Sequence, residues 1–344
     1  MADTADIDRL DIFDGFADAL ADPCLLLDRR GIVVHRNPAA VREFPAIDEG
    51  QLLSLTLRNP ALLSALDAVR RGAGAQTVEL HQTVPNETWH RVHIAPLPRS
   101  EGIVALTLQS LTDFKRLEQL RTDFIANASH ELRTPLTSLV GFIDTLLGPA
   151  AGDAAARERF LTIMRQQAAR MSSLIDDLLS LSRIELRQHL RPTGSVDLVS
   201  LLAEVRDGLE TQAREAGIVI AIDGLGSATV TGDASELYEV FENLIDNAIK
   251  YGGEGGRVEV TVAAGRSGFD YAVTVVDHGA GIAPEHVPRL TERFYRVDAE
   301  SSRKKKGTGL GLAIVKHIVN RHRGQLAIRS RPGEGTRVEV LLNR

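Results

Sequence analysis

The sequence predicts a multidomain α+β protein in which a two-helix hairpin joins two mixed α/β domains. Three observations lead there. Between Asp18 and Ser110, short β-like runs bracket two capped helices. From Leu111 to about Leu186, apolar residues recur at three- and four-residue steps with a single interruption. From Val196 to Arg344, helical and strand patterns mix again over a stretch long enough for a second layered domain.

Residues 1–17 are acidic and read as a tail or a short helix. The first domain, 18–110, opens with β-like runs at Leu25–Asp28 and Gly31–His35, joined by the turn signal Asp28-Arg29-Arg30-Gly31. Helices follow around Asn37–Phe44 and Asn59–Arg70, each starting with a capping Asn and then a Pro. Strand patterns at Thr77–His81, Trp89–Ala95 and Ile103–Leu108 complete it.

The hairpin spans 111–190. Its first helix carries Phe114, Leu117, Leu120, Phe124, Ile125, Leu132, Leu136, Leu139 and Ile143 on one face and runs for about 50 Å at 1.5 Å per residue. Gly148–Asp153 breaks it. The second helix, through Leu186, carries Phe160, Ile163, Met164, Met171, Leu174, Ile175, Leu178 and Leu181. So much apolar face on two helices predicts pairing with a second copy into a four-helix bundle. Docking on another domain of the same chain is the alternative. Arg191–Ser195 reads as a linker to the last domain, 196–344, with helices at Leu198–Glu215, Asp233–Lys250 and Gly309–Arg321. Its strands are expected at Val219–Ile222, Val258–Ala263, Tyr271–Asp277, Gln325–Ser330 and Thr336–Leu342.

Composition narrows the function classes. With 43% hydrophobic and 25% charged residues, the 344-residue chain is an ordinary globular protein. A net charge of −6 gives no reason to expect nucleic acid as a partner. Cys24 is the single cysteine, which excludes an intrachain disulfide, and its setting in Pro23–Leu27 predicts a buried core thiol. No run approaches the ~20 apolar residues of a membrane span, and the N-terminus lacks a signal-peptide pattern. The expected location is the cytoplasm, with membrane association only if an anchor precedes residue 1. His35, His81, His90 and His93 invite a haem or metal reading, but histidines on strand surfaces are the expected one.

Chemistry concentrates in five places. In Asn127–Leu136 the polar residues His130, Glu131, Arg133 and Thr134 crowd an otherwise apolar-periodic helix, and Pro135 removes the donor for the carbonyl of Glu131. A neutral imidazole at His130 has one ring lone pair free for nucleophilic attack. Glu131 is placed to hold the other ring N–H, and Thr134, one turn on, to orient a water for a hydrolytic step. In Glu239–Tyr251, Asn243 and Asn247 share a helix face and offer Mg²⁺ two neutral oxygens beside a triphosphate. Lys250 can reach phosphates and Tyr251 offers a ring to a base.

Asp277-His278-Gly279-Ala280-Gly281-Ile282 ends a strand with a carboxylate able to accept from an exocyclic amine, followed by glycines that allow close backbone approach, although a plain tight turn fits as well. Arg293-Phe294-Tyr295-Arg296 places Arg296 as a contact for a terminal phosphate, against ordinary packing. Gly307-Thr308-Gly309-Leu310-Gly311-Leu312 opens a helix as phosphate-binding turns do, yet lacks both the dinucleotide and the Walker A spacing. Ser301–Lys306 before it reads as a basic lid or a solvated loop.

These five blocks, in this order over residues 113–344, resemble the sensor histidine kinases of two-component systems. The resemblance implies a dimeric histidine-phosphotransfer hairpin with His130 as phosphoacceptor, followed by a GHKL-type α/β sandwich that binds ATP and Mg²⁺. It assigns Asn243 and Asn247 to the metal. Lys250, Tyr251, Asp277, Gly279, Gly281, Arg296, Thr308, Gly309, Leu310 and Gly311 are assigned to the nucleotide. It further implies a homodimer and a response regulator whose receiver aspartate takes the phosphoryl group. Residues 18–110 resemble a PAS sensor domain, and the wording of Arg293–Asp298 and Ile314–Val319 is most similar to phosphate-regulon sensors. A mainly phosphatase output through Thr134, or a non-catalytic ATP-binding scaffold, are the competing expectations.

Overall fold

The computed structural model describes residues 13–344 apart from 84–85, 99–101, 188, 253–255 and 298–306. The basic segment Ser301–Lys306 therefore lies outside the described residues. The chain divides into two units, Met1–Ile125 and Ala126–Arg344.

In the first unit a helical segment α1 (residues 13–18) precedes strands β1 (Cys24–Leu27) and β2 (Val33–Arg36). The turn between the strands forms because the Asp28 carboxylate accepts from the N–H groups of Arg30 and Ile32, both at 2.8 Å. Helices α2 (Pro38–Glu43), α3 (Leu53–Thr56) and α4 (Pro60–Arg70) follow, then β3 (Gln76–Gln82), β4 (Thr88–Pro96) and β5 (Val104–Ser110). Asn37 and Asn59 cap α2 and α4 through their side chains, with Pro at the first helical position, as expected. The five strands form one antiparallel sheet in the order β2-β1-β5-β4-β3.

All four residues of β1 are buried, because the sheet is covered on both faces. Leu25 and Leu27 face a core with Leu62, Leu66, Ile94 and Leu106, while Cys24 and Leu26 pack with Ala17 and partly buried Phe13. This corrects the boundary drawn at residue 17. The segment α1 belongs to the domain, tied in by the buried Asn37 amide, which donates to the carbonyls of Ala17, Leu20 and Asp22. Cys24 is buried as expected, and burial pushes its thiol up to about 11.

Helix α5 (Thr112–Leu147) starts in the first unit and continues into the second. It runs unbroken through Pro135. Around the carbonyl that Pro135 leaves without a donor, hydroxyls also bond neighbouring carbonyls: Thr134 donates to His130 O, Thr137 to Arg133 O and Ser138 to Thr134 O, at 2.9–3.2 Å. Helix α6 (Ala154–Leu186) is capped by Asp153, and Phe142 stacks on Phe160 across the hairpin at 5.2 Å. Among the described residues, no helix is long and apolar enough to cross a membrane.

The C-terminal part is a sheet in the order β11-β12-β10-β9-β7 under helices α7 (Leu198–Glu215), α8 (Ala234–Tyr251) and α9 (Gly311–Arg321). Its strands are β7 (Val219–Gly224), β9 (Arg257–Ala264), β10 (Tyr271–Asp277), β11 (Gln325–Arg331) and β12 (Gly335–Leu342), with β7 parallel to β9. A two-stranded sheet was not anticipated: β6 (Ser195–Asp197), which starts at the last residue of the expected linker, pairs with β8 (Thr229–Thr231). Three-residue strands carry too little periodic signal to read from sequence. Helix α8 buries Leu237, Val240, Phe241, Leu244, Ile245, Ala248 and Ile249 between α7, α9 and β10. That leaves its other stripe, at 243, 246, 247 and 250, for chemistry.

Candidate functional site: a nucleotide cleft and an exposed histidine

Helix α8, the end of β10 and the turn before α9 enclose a cavity of about 380 Å³. Asn243, Asn247, Lys250, Tyr251, Asp277, Gly281, Arg296, Thr308, Gly309 and Gly311 all line it. Ten of the twelve expected nucleotide residues, spread over nearly seventy positions, thus share one wall system. Gly279 and Leu310 do not line it. Leu310 is fully buried in the core, and Gly279 stands behind the cleft, where its N–H donates to Asp277 Oδ1 at 3.0 Å.

Asp277 is held in place from behind. Its Oδ1 also accepts from the N–H of Thr336 at 3.3 Å, and the Thr336 hydroxyl bonds the same carboxylate. Burial pushes its carboxyl above the usual range against those bonds. Ser330 fixes the glycine turn by accepting from Ile282 N at 2.9 Å. Glycine is required twice here for steric reasons. Gly281 has φ +68°, and a Cβ on it would lie 1.8 Å from the Arg331 carbonyl; a Cβ on Gly279 would lie 2.1 Å from that of Tyr251.

The Asn243 amide donates to the Glu239 carbonyl at 2.9 Å, which turns its oxygen the other way. A Cβ at Gly311 would sit 2.4 Å from that oxygen. The glycine therefore keeps Asn243 Oδ1 accessible, and a neutral oxygen pair with Asn247 suits Mg²⁺. Lys250 is paired with Asp246, which also accepts from Gln212 at 2.5 Å. Nε and Nη2 of Arg296 are buried with no hydrogen-bond partner among the described residues, as expected of a guanidinium built to meet an anion.

His130 lies elsewhere. It is exposed on α5 and borders a shallow depression with Arg133, Thr134, Thr137 and Ser138. The Glu131 carboxylate, expected at the imidazole, accepts from Arg170 on α6 at 2.9 Å and so ties the two hairpin helices together. The Thr134 hydroxyl points back to the His130 carbonyl at 3.2 Å.

Sequence reasoning missed Ser173, Asp177 and Asp246, all of which line the cleft. Asp246 had a signal, its i,i+4 spacing to Lys250. Ser173 and Asp177 had none, because they belong to the hairpin. Of the four histidines in the first unit, His90 departs from the surface expectation: it is 1% exposed and bonded to Glu43 at 2.7 Å. His35 bonds Asp18, His93 bonds Thr77 and His81 stacks on Trp89. Among the described residues, no group of histidine, cysteine and carboxylate side chains could hold a metal ion.

Comparison with known proteins adds a family to this geometry. Residues 120–187 match the His Kinase A (phospho-acceptor) domain, and residues 232–344 match the histidine kinase-, DNA gyrase B-, and HSP90-like ATPase family. The phosphate regulon sensor protein PhoR of Pseudomonas aeruginosa is 35% identical over 322 residues, covering 92% of this chain and 71% of its own length. The sensor-like histidine kinase SenX3 of Mycobacterium tuberculosis is 35% identical over 67% of this chain, which spans only 56% of SenX3. The histidine kinase ThkA, solved in complex with the response regulator protein TrrA, shares the fold with a TM-score of 0.52 over 95% of this chain and 97% of that one, at 19% identity.

Proposed function

The chain belongs to the sensor histidine kinases of two-component systems, and from that membership we propose that ATP bound in the α8–β10–α9 cleft phosphorylates His130. One observation carries this reading: ten residues from four separate motifs converge on a cleft where Nε and Nη2 of Arg296 are buried without a partner among the described residues, while His130 of the phosphoacceptor motif stands exposed on the hairpin.

Within the cleft, the Asp277 carboxylate accepts from the exocyclic amine of the base, and Tyr251 lies beside the ring. The glycine turn with Thr308 and Gly309 presents backbone to the phosphates at the start of α9. Lys250 and Arg296 balance their charge. Asn243 and Asn247 would hold Mg²⁺, which would supply charge neutralisation to the triphosphate. A ring nitrogen of His130 attacks the γ-phosphorus. The N–P bond forms as the bond from phosphorus to the β–γ bridging oxygen breaks, and ADP leaves with that electron pair. The remaining ring proton passes to solvent, to which His130 is open, because the Glu131 carboxylate is taken up by Arg170. Positioning and charge neutralisation account for the rate, since phosphoryl transfer asks little covalent chemistry of the protein. The phosphoramidate then donates to a receiver-domain aspartate of a response regulator.

A second copy of the chain completes the hairpin. Leu136, Val140, Ile143 and Leu147 on α5, and Leu161, Ile175, Leu179 and Leu186 on α6, are each at least 42% exposed and recur at helical spacing. Covering such stripes is what a four-helix bundle does. The sheet order β2-β1-β5-β4-β3, with helices inserted between β2 and β3, supports a PAS-like sensor at the N-terminus. Likeness to PhoR over 92% of the chain favours phosphate availability as its input, which deletion of the gene followed by phosphate starvation tests.

Incubation with γ-phosphate-labelled ATP tests the acceptor. The wild-type chain is expected to gain an acid-labile, base-stable label that His130→Gln abolishes. An undiminished acid-labile label on His130→Gln sinks the assignment.

A further inference from the structure

The cleft is not made by the ATPase fold alone. Helix α6 of the hairpin contributes Ser173 and Asp177 to its lining. Asp177 Oδ2 accepts from the Thr308 hydroxyl at 2.6 Å, and the Thr308 oxygen accepts in turn from Leu310 N at 3.3 Å, within the glycine turn. A carboxylate from the hairpin is therefore bonded to the element that receives phosphates.

Its level along the hairpin matters. The Glu131–Arg170 ion pair marks which part of α6 faces the phosphoacceptor region of α5. Asp177 is seven residues further along α6, two turns or roughly 10 Å at 1.5 Å per residue. The other bonds between α6 and the ATPase fold lie further still: Ser180 to Glu239 at 2.5 Å, Glu185 to Arg293, and the Arg187 carbonyl to Arg321 at 3.1 Å. Of these bonded contacts, Asp177 is thus the nearest along α6 to Arg170 and the one that enters the cleft.

We propose that Asp177 is a latch displaced by nucleotide: it holds the glycine turn on the hairpin through Thr308, and an incoming triphosphate releases it. This inference rests on the reading of the cleft as an ATP site. A carboxylate and a triphosphate cannot share Thr308 without like charges meeting in a partly buried space. Lys250, which acts electrostatically on Asp177, already shares its charge with Asp246. The desolvation that raises the Asp177 carboxyl's pKa is consistent with a group awaiting replacement. Because coupling is reciprocal, whatever affinity the docked hairpin takes from ATP, ATP takes from docking. Binding of the substrate would then free the ATPase fold to move the two turns toward His130.

The test uses the full chain carrying His130→Gln, so that no transfer occurs. Dissociation constants for Mg·ATP and for adenosine are measured with and without Asp177→Asn, which removes the charge and keeps an acceptor for Thr308. Asp177→Ala serves as a second variant should Asp177→Asn not fold. The expected result is ATP binding about 5-fold tighter or more, in the usual range of site-to-site coupling, with adenosine binding unchanged. Unchanged or weaker ATP binding overturns the latch, the weaker case marking Asp177 as part of the nucleotide site. Equal tightening of ATP and adenosine also overturns it, because the effect would not act through phosphate. ATP binding in none of the variants would instead remove the ATP site, and the latch with it.

Discussion

The nucleotide cleft and the histidine surface are built by opposite means. In the cleft, backbone is packed so closely that glycines are obligatory, and Asp277 is fixed by bonds from Gly279 and Thr336. Around His130 nothing is enclosed. The ring stands in the open, and a glycine on the same helix, Gly141, has no atom within 4 Å of where its Cβ would be. A phosphoryl donor needs its charge held by a preorganised, partly desolvated frame. A nucleophile that must meet first a nucleotide and then a second protein needs access. The difference teaches that rigidity is concentrated where charge develops, and the acceptor is left approachable.

Substitutions in the cleft should therefore cost far more than those on the hairpin. Gly281→Val has the largest expected effect, since its Cβ would fall 1.8 Å from the Arg331 carbonyl at a positive φ. Nucleotide binding should weaken by more than about 100-fold, or roughly 2.8 kcal/mol at 1.4 kcal/mol per tenfold. Titration with a fluorescent ATP analogue measures this, and wild-type affinity would mean the turn is not rigid.

Asp277→Asn should come next, with binding about 10–100-fold weaker, because an amide presents a donor where the base amine donates. The wild-type protein should also lose affinity on acidification sooner than an ordinary carboxylate would dictate. Burial raises the Asp277 pKa, and only its ionised form accepts from the amine. The consequence for stability has the opposite sense. Between the unfolded and the raised folded pKa, the native chain holds a proton that the unfolded chain has lost. Asp277, Asp177 and Glu239, all raised first by burial, therefore subtract stability as pH rises through that window. Asp233 and Asp197, lowered first by hydrogen bonds from Ser235 and Ser200, add stability as pH rises out of the acid range. A pH-independent affinity for the wild type would break this account.

The smallest effect is expected at Thr134, whose hydroxyl bonds only the His130 carbonyl across one helical turn. Thr134→Ala should leave His130 labelling within about twofold, since surface substitutions rarely shift stability by more than ±0.5 kcal/mol. It should lengthen the lifetime of the phosphorylated regulator if this hydroxyl orients the hydrolytic water. An unchanged lifetime would remove that role.

Much of the fold was legible because its signals are local. Asn-Pro openings placed α2 and α4, and apolar periodicity placed α5 and α6 to within a residue or two. The cleft was legible for the same reason, since Asn243, Asn247 and Lys250 lie on one stripe of α8 and the glycines flank strand and helix ends. The Leu310 side chain faces the core and not the cleft, because a residue inside a glycine turn can face either and only the packing around it chooses.

The sequence by itself determined the elements, their caps, and which residues are candidates for phosphate-transfer chemistry, because each depends on neighbours within a few positions. Tertiary structure alone decided that Asp177 meets Thr308, 131 residues away, that Glu131 pairs with Arg170, and that α1 closes the second face of the first sheet. Such contacts depend on how separate faces are brought together, and local patterns of charge and apolarity carry no record of which distant face will arrive.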